Sequence, residues 1–221
     1  SMLYYNTLGD SLIEVDNILL RVHDCDNNGA IDIGDNYTAT TYQAAYGTIS
    51  YLTQPSITVV PGSPQSVLIA YTCVMDGDST EDDGDHPYWL GASGLAGQPY
   101  RDILVVGSND NGGVFRLPVN VSRTKHFEEA FVTTPEFVTG TKLAMLYQGD
   151  IEPGTIMQSD DKFDPDFTNF MICQEVSIAD IFTLGLDTTA ACQQFQIPLG
   201  VKHILTSEQG IVKVFPNPTS D

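Results

Sequence analysis

Positively charged residues are scarce in this chain of 221 residues, which has nine Lys and Arg against 29 Asp and Glu and a formal net charge of -20. Phosphate binding needs clustered Lys and Arg, so this composition argues against a nucleic-acid partner. It argues equally against an anionic membrane surface. The carboxylates instead fit a protein exposed to divalent cations, which bind hard oxygen ligands.

Long apolar runs and metal-type cysteine spacings are also missing. No apolar run reaches the roughly 18 residues of a membrane-spanning helix, so no membrane span is expected. None of the cysteines forms a CxxC pair, which argues against a zinc site. The four are Cys25, Cys73, Cys173 and Cys192. Two disulfides and four buried thiols are both open interpretations, and Cys173–Cys192 is the pair to test first because it would close a short loop.

Helical patterns are few, and the best is 176–186, which Gly185 weakens. Strand patterns are frequent, and Gly, Asn, Asp and Pro separate them, which predicts an all-β chain. Parallel α/β architecture is disfavoured because helices do not alternate with the strands. The predicted strands are 66–74, 102–107, 114–121, 142–148, 167–176, 194–199 and 211–215.

The segment 24–35 has the spacing of a calcium loop. Gly29 stands where such a loop turns sharply, and Ile31 would anchor it inward. The final ligand is Asp instead of the longer Glu, and no clear helix flanks the segment, so it resembles the isolated calcium loops of dockerin-type and thrombospondin-type repeats. The alternative is an ordinary turn between two strands. The predicted ligands of the calcium cofactor are Asp24, Asp26, Asn28, the Ala30 carbonyl, Asp32 and Asp35.

A second motif consists of Ser108, Asp110, Gly112 and Phe115. It resembles the Asp-box of sialidase-like β-propellers, with Phe in place of the commoner Trp. Asp110 can accept hydrogen bonds from backbone amides of its own turn. Gly112 allows a positive φ, and the aromatic ring packs inward. Such a motif is a folding device and does not imply catalysis. More loosely, about 70–177 is similar to a recurring stretch in propeller-like exported proteins.

The end of the chain carries a third motif, formed by Val214, Phe215, Pro216, Asn217 and Pro218. It resembles the opening of the C-terminal sorting domain of type IX secretion substrates. The resemblance implies the type IX secretion machinery as a partner and a secreted or cell-surface location. A Pro-rich linker is the alternative.

These motifs divide the chain into three expected parts. Residues 1–2 are interpreted as a cloning scar, 3–205 as a β-propeller-like domain, and 206–221 as a linker and the start of a sorting domain. At roughly 40 to 50 residues per blade, 3–205 would hold about four blades. A fragment of a longer protein is therefore expected, and a β-sandwich or another multi-strand β domain is the alternative.

The expected function is a non-catalytic, calcium-stabilised module that binds an extracellular glycan or protein. The alternative is a glycoside hydrolase of the sialidase type, or a fragment of one. Such enzymes need an arginine trio beside a Tyr–Glu pair, and the sequence offers no evident trio and no catalytic residue. Its four arginines are Arg21, Arg101, Arg116 and Arg123. Three arginines converging on a pocket would favour the hydrolase.

Overall fold

The computed structural model describes residues 1–17, 23, 52–62, 64–79, 99–124, 127–150 and 170–186. Nine strands and one short helix lie in this part of the chain, which confirms the all-β class. They are β1 (Met2–Asn6), β2 (Ser11–Asp16), β3 (Leu52–Val60), β4 (Ser66–Ser79), β5 (Pro99–Ser108), β6 (Val119–Asn120), β7 (Glu128–Thr133), β8 (Lys142–Asp150), β9 (Phe170–Ser177) and α1 (Ile178–Leu184). No helix within these residues is long and apolar enough to cross a membrane.

The strands form three antiparallel sheets. The hairpin β1–β2 is the first, the central sheet has the order β3-β4-β5-β6, and the outer sheet has the order β7-β8-β9. The register of the central sheet pairs Val67 with Ser108 and Cys73 with Asp102. In the outer sheet Lys142 pairs with Ser177 and Tyr147 with Ile172.

The central sheet is buried on both faces, which explains the unbroken apolar run at the start of β4. Successive side chains of a strand point to opposite faces. Leu68 and Ile103 accordingly pack with Leu143 and Tyr147 of the outer sheet. Their neighbours Ile69 and Leu104, with others on the same face, pack under the hairpin. A strand covered on both sides has no polar face to alternate with.

The outer sheet shows the alternation that the central sheet lacks. Along β9, Ile172 and Val176 are buried while Met171, Cys173 and Glu175 are exposed. The chain then turns into α1, whose N-cap is Ser177, and the Ser177 Oγ accepts a hydrogen bond from the Asp180 amide at 3.3 Å. The predicted helix at 176–186 is thus present but shorter, because its first two residues still belong to β9.

The predicted strand at 114–121 is mostly wrong, since only Val119–Asn120 pairs with β5. Pro118 has no amide hydrogen to donate to a ladder. The two residues before it bond elsewhere: the Arg116 amide donates to the Gly107 carbonyl at 2.8 Å, and the Leu117 amide donates to the Gly185 carbonyl at 2.9 Å. The described residues form packed layers and include no ring of blades.

Candidate functional site

Two of the predicted sites lie outside the described residues. One is the calcium loop, with Asp24, Asp26, Asn28, Ala30, Asp32 and Asp35, and the other is the sorting segment, with Val214, Phe215, Pro216, Asn217 and Pro218. In the ranges that are described, no group of three or more His, Cys, Asp and Glu side chains could hold a metal ion. Calcium binding and sorting therefore remain predictions.

The turn after β5 brings the Asp-box-like residues together. Asp110 Oδ1 accepts hydrogen bonds from the Ser108 hydroxyl at 2.6 Å and from the amides of Gly113 and Val114 at 2.9 Å each. The Ser108 hydroxyl, followed by the Val114 amide, lowers the pKa of the Asp110 carboxyl. One ionised side chain thus closes the turn by accepting hydrogen bonds from backbone amides of the same turn.

This turn is also docked against the hairpin. Gly112 has a φ of 77°, and a Cβ built there would lie 2.8 Å from Tyr4 Cε1. The rings of Tyr4 and Phe115 meet edge to face with centroids 5.4 Å apart. The Asn6 side-chain amide donates to the Gly112 carbonyl at 3.2 Å. All of these contacts hold backbone segments together, so the turn has a structural role.

A buried group of four side chains, the His23 cluster, lies between the hairpin and the central sheet. Its members are Asp16 of β2, His23, and Tyr71 and Cys73 of β4. Both Asp16 carboxylate oxygens lie 2.9 Å from His23 Nε2, and the Tyr71 hydroxyl donates to Asp16 Oδ2. Cys73 Sγ lies 3.5 Å from His23 Nδ1. The thiol, the imidazole and the carboxylate thus stand in the order of a nucleophile, its general base and the group that orients that base.

The protonation of the His23 cluster does not favour nucleophilic chemistry. The Cys73 thiol donates to the Val74 carbonyl at 3.1 Å, which the reactive thiolate could not do. Burial, and then the Asp16 charge, raise the pKa of this thiol well above its usual range. Burial and Asp16 raise the pKa of Tyr71 in the same way. A protonated thiol without exposed surface makes this cluster a polar link between two layers.

A second buried group, the carboxylate cluster, joins β5 and β6 to the start of β7. Its members are Asp102 on β5, Asn120 on β6, Ser122 and Thr124 in the segment after β6, and Glu129 on β7. Asp102 and Glu129 are each only 1% exposed. Asn120 donates from its side-chain amide to Asp102 Oδ2. Thr124 Oγ1 lies 3.3 Å from Asp102 Oδ1 and 2.9 Å from Glu129 Oε1. The Thr124 hydroxyl therefore lies between the two carboxyls.

The environment of Glu129 favours its protonated form. Burial, and then the Asp102 charge, raise the pKa of Glu129 well above its usual range, although hydrogen bonds from Ser122 and Thr124 oppose this. Burial, then Glu129 and Asp102, likewise raise the pKa of Tyr147, whose hydroxyl donates to Gln174 Oε1 at 2.8 Å. Two buried carboxyls near one hydroxyl thus disfavour each other's negative charge.

The arginines of the described residues do not converge on a pocket. Arg101 Nη1 lies 2.5 Å from Glu128 Oε1, and the Arg101 amide donates to Glu128 Oε2 at 2.9 Å. Arg123 Nε donates to the Asn120 carbonyl at 2.9 Å. Arg116 is exposed. The trio that would favour a sialidase-type enzyme is thus not present in the ranges that are described.

Neither buried cluster was predicted from the sequence. A signal existed for the carboxylate cluster, because Arg101 and Asp102 precede the apolar ILVV, and Glu128 and Glu129 precede AFV. If such a pair belongs to a strand that is buried on one face, one of its two charges points inward. The His23 cluster joins residues from separate strands and carries no comparable local signal.

The cysteines that are described are both free: Cys73 is buried and Cys173 is exposed. Cys173 therefore does not form the disulfide with Cys192 that was the first pair to test. Cys25 and Cys192 lie outside the described residues.

Comparison of the chain with protein families, with characterised proteins and with solved structures gives no match. Function is therefore argued from the residues and their geometry.

Proposed function

We propose that this chain is a secreted or cell-surface, non-catalytic module that binds an extracellular protein. The observation that carries the proposal is the burial of the two clusters of titratable side chains found in the described residues. Asp16, His23, Cys73, Asp102 and Glu129 are each at most 1% exposed, so a substrate cannot reach them. Groups this deeply buried among hydrogen-bond partners stabilise and specify a fold.

The surface of the hairpin supports a binding role. Leu3, Tyr5 and Leu12 are 58%, 53% and 67% exposed, and Tyr5 pairs directly with Leu12 across the two strands. Leu8 in the connecting turn is 83% exposed. Neighbouring exposed apolar side chains are typical of interaction sites. Three of the four are aliphatic, which favours a protein partner over a glycan.

The glycoside hydrolase alternative receives less support. The two catalytic carboxyls of such an enzyme flank the glycosidic bond. They lie about 5 Å apart in retaining enzymes and up to about 9.5 Å apart in inverting enzymes. Asp102 and Glu129 are instead both buried beside the Thr124 hydroxyl, which leaves no space for a sugar between them. The layered arrangement also favours a sandwich-like domain over propeller blades for the described residues.

Location and transport rest on the residues near the end of the chain. Val214 to Pro218 support export through the type IX secretion machinery, and the scarcity of Lys and Arg fits an extracellular partner rather than nucleic acid. Reporter fusions with and without 206–221, expressed in a bacterium that has this machinery, test this part separately.

Binding is tested with a panel of extracellular proteins and a glycan array as the probes. We expect a protein ligand whose affinity falls at least about tenfold in the Leu3→Ser/Leu12→Ser variant, since that change removes apolar contact area. Leu146→Ser, on the exposed face of β8, is the matched control and should bind normally. Binding to glycans alone would contradict the choice of partner. Hydrolysis of a fluorogenic sialoside that is lost in Glu129→Gln would establish the hydrolase instead.

Calcium binding gives a separate prediction. A ligand that binds only the folded state stabilises it, by about 2.7 kcal/mol when present at a hundred times its Kd. We therefore expect chelation to lower the melting temperature and calcium to restore it. The Asp24→Ala/Asp26→Ala variant should melt at the chelated temperature under both conditions. Identical melting curves of the natural chain with calcium and with chelator would exclude the site.

A further inference from the structure

We propose that Asn111 is a self-modification site, at which the chain converts its own side-chain amide to a carboxyl whenever the turn after β5 opens. Asn111 is exposed and is followed by Gly112. Because glycine has no side chain, its backbone nitrogen can approach the side chain of the preceding residue closely. The reaction needs no enzyme or cofactor. It goes beyond the proposed binding role and does not depend on it.

The chemistry requires two groups of the Asn–Gly pair to meet. The Gly112 backbone nitrogen gives its proton to hydroxide and attacks Asn111 Cγ, which forms a cyclic imide. The bond from Cγ to Nδ2 breaks, and the nitrogen leaves as ammonia after taking a proton from water. Water then opens the imide at either carbonyl, which leaves aspartate or isoaspartate. The net reaction consumes water and releases ammonia, without oxidation or reduction.

In the folded chain, the two reacting groups are held by different partners. The Gly112 amide donates to Ser108 Oγ at 3.1 Å, and Gly112 is buried. Asn111 Oδ1 accepts a hydrogen bond from the Gln65 amide at 2.9 Å, and the Asn111 amide donates to the Gln65 carbonyl at 3.0 Å. Ring closure therefore needs the Gly112 amide to leave Ser108 and the Asn111 side chain to turn away from Gln65.

The backbone on both sides of the pair adds to this protection. Asn111 and Gly112 have φ values of 64° and 77°, in the left-handed region that Asn–Gly pairs favour in tight turns. Asp110 Oδ1 accepts hydrogen bonds from the two amides that follow the pair. The Asn6 side chain donates to the Gly112 carbonyl from the hairpin. The pair is thus fixed in one conformation, and the reaction has to wait for local opening.

The population of the open turn sets the rate of the reaction. A segment that opens and closes many times before a slow step occurs reacts in proportion to the population of its open form. The Asp110 carboxylate favours the closed form through charge-assisted hydrogen bonds. Loss of this carboxylate should therefore increase the open population and the rate at Asn111 together.

The product does not fit the closed turn. Isoaspartate routes the backbone through the former side chain and lengthens it by a methylene, which displaces the two carbonyls to which Asn6 donates. Either product also adds a negative charge next to the Asp110 carboxylate, and like charges disfavour each other. The modified turn therefore loses its contact with the hairpin β1–β2, and amide hydrogen exchange in the hairpin becomes faster.

The experiment incubates the natural chain at mildly alkaline pH and follows Asn111 by peptide mass spectrometry. We expect conversion to be at least about tenfold slower in buffer than in urea, because the closed turn prevents ring closure. Asp110→Ala should react at least about tenfold faster than the natural chain in buffer, since charge-assisted hydrogen bonds are lost. Asn109→Ser, at an exposed residue of the same turn, is the matched control and should keep the natural rate.

Equal rates of the natural chain in buffer and in urea would overturn the proposal, as would an Asp110→Ala rate equal to that of Asn109→Ser. If Asp110→Ala does not fold, the comparison of the natural chain in buffer and in urea decides the matter. Asn28–Gly29 is the same dipeptide and lies outside the described residues, so peptide mapping assigns its conversion separately. Unchanged hydrogen exchange of β1 and β2 in the purified converted protein would contradict release of the hairpin.

Discussion

Replacing Arg101 with Met should lower the free energy of unfolding by about 3 to 5 kcal/mol at neutral pH, as for other buried ion pairs that lose one partner. Arg101 Nη1 lies 2.5 Å from Glu128 Oε1, and the two side chains are 9% and 2% exposed. The variant leaves the Glu128 carboxylate in the interface without its guanidinium. Urea unfolding monitored by circular dichroism gives the value.

A second substitution separates the charge from the packing. Arg101→Met/Glu128→Leu removes both charges, and we expect it to recover most of the stability, since well-packed apolar pairs replace buried ion pairs at little cost. The loss in Arg101→Met should also shrink in acid, where Glu128 can take up a proton. A double variant no more stable than Arg101→Met would show that the aliphatic stem of Arg101, and not its charge, is what the site requires.

Replacing Asp16 with Ala should lower the free energy of unfolding by about 3 to 5 kcal/mol, because several buried groups lose one acceptor together. The Asp16 carboxylate accepts from the Tyr71 hydroxyl and from the Asn17 amide, and both its oxygens contact His23. The cluster joins the hairpin to the central sheet. We therefore expect hydrogen exchange to accelerate most at the amides of β1 and β2.

Glu14→Ala is the matched control for Asp16→Ala. Glu14 lies two residues earlier on the same strand, is exposed, and accepts only an exposed hydrogen bond from Asn17 at 3.3 Å. Exposed substitutions of this kind usually change stability by less than about 0.5 kcal/mol. An Asp16→Ala protein as stable as Glu14→Ala would show that the His23 cluster does not hold the hairpin in place.

The strands β4, β5, β8 and β9 could be predicted from the sequence because their causes are local, whereas β3 and β7 were not predicted. The apolar run of β4 and the alternation of β9 are visible in consecutive residues. The helix was found for the same reason, with its start displaced because β9 continues to Ser177. The turn at Ser108 and Asp110 was also predictable, since the hydrogen bonds of these two side chains all lie within seven residues.

The buried clusters could not be predicted, because they depend on which strand faces which. Asp102 and Glu129 are 27 positions apart and both reach the Thr124 hydroxyl only when β5 and β7 pack in one particular register. Asp16 and Tyr71 likewise meet across two sheets. The prediction of a strand at 114–121 was mostly wrong for a related reason. The Leu117 amide donates to the carbonyl of Gly185, which lies after α1.

The order of the described strands has a consequence for the folding pathway. Every pairing joins neighbours in the order of the described strands: β1 with β2, β3 through β6 in turn, and β7 through β9 in turn. Each sheet can therefore form from strands that are consecutive in this order, before the layers meet. Association of the layers is then the step at which Arg101, Asp102 and Glu128 lose water. We therefore expect this desolvation to add to the folding barrier at the step of layer association.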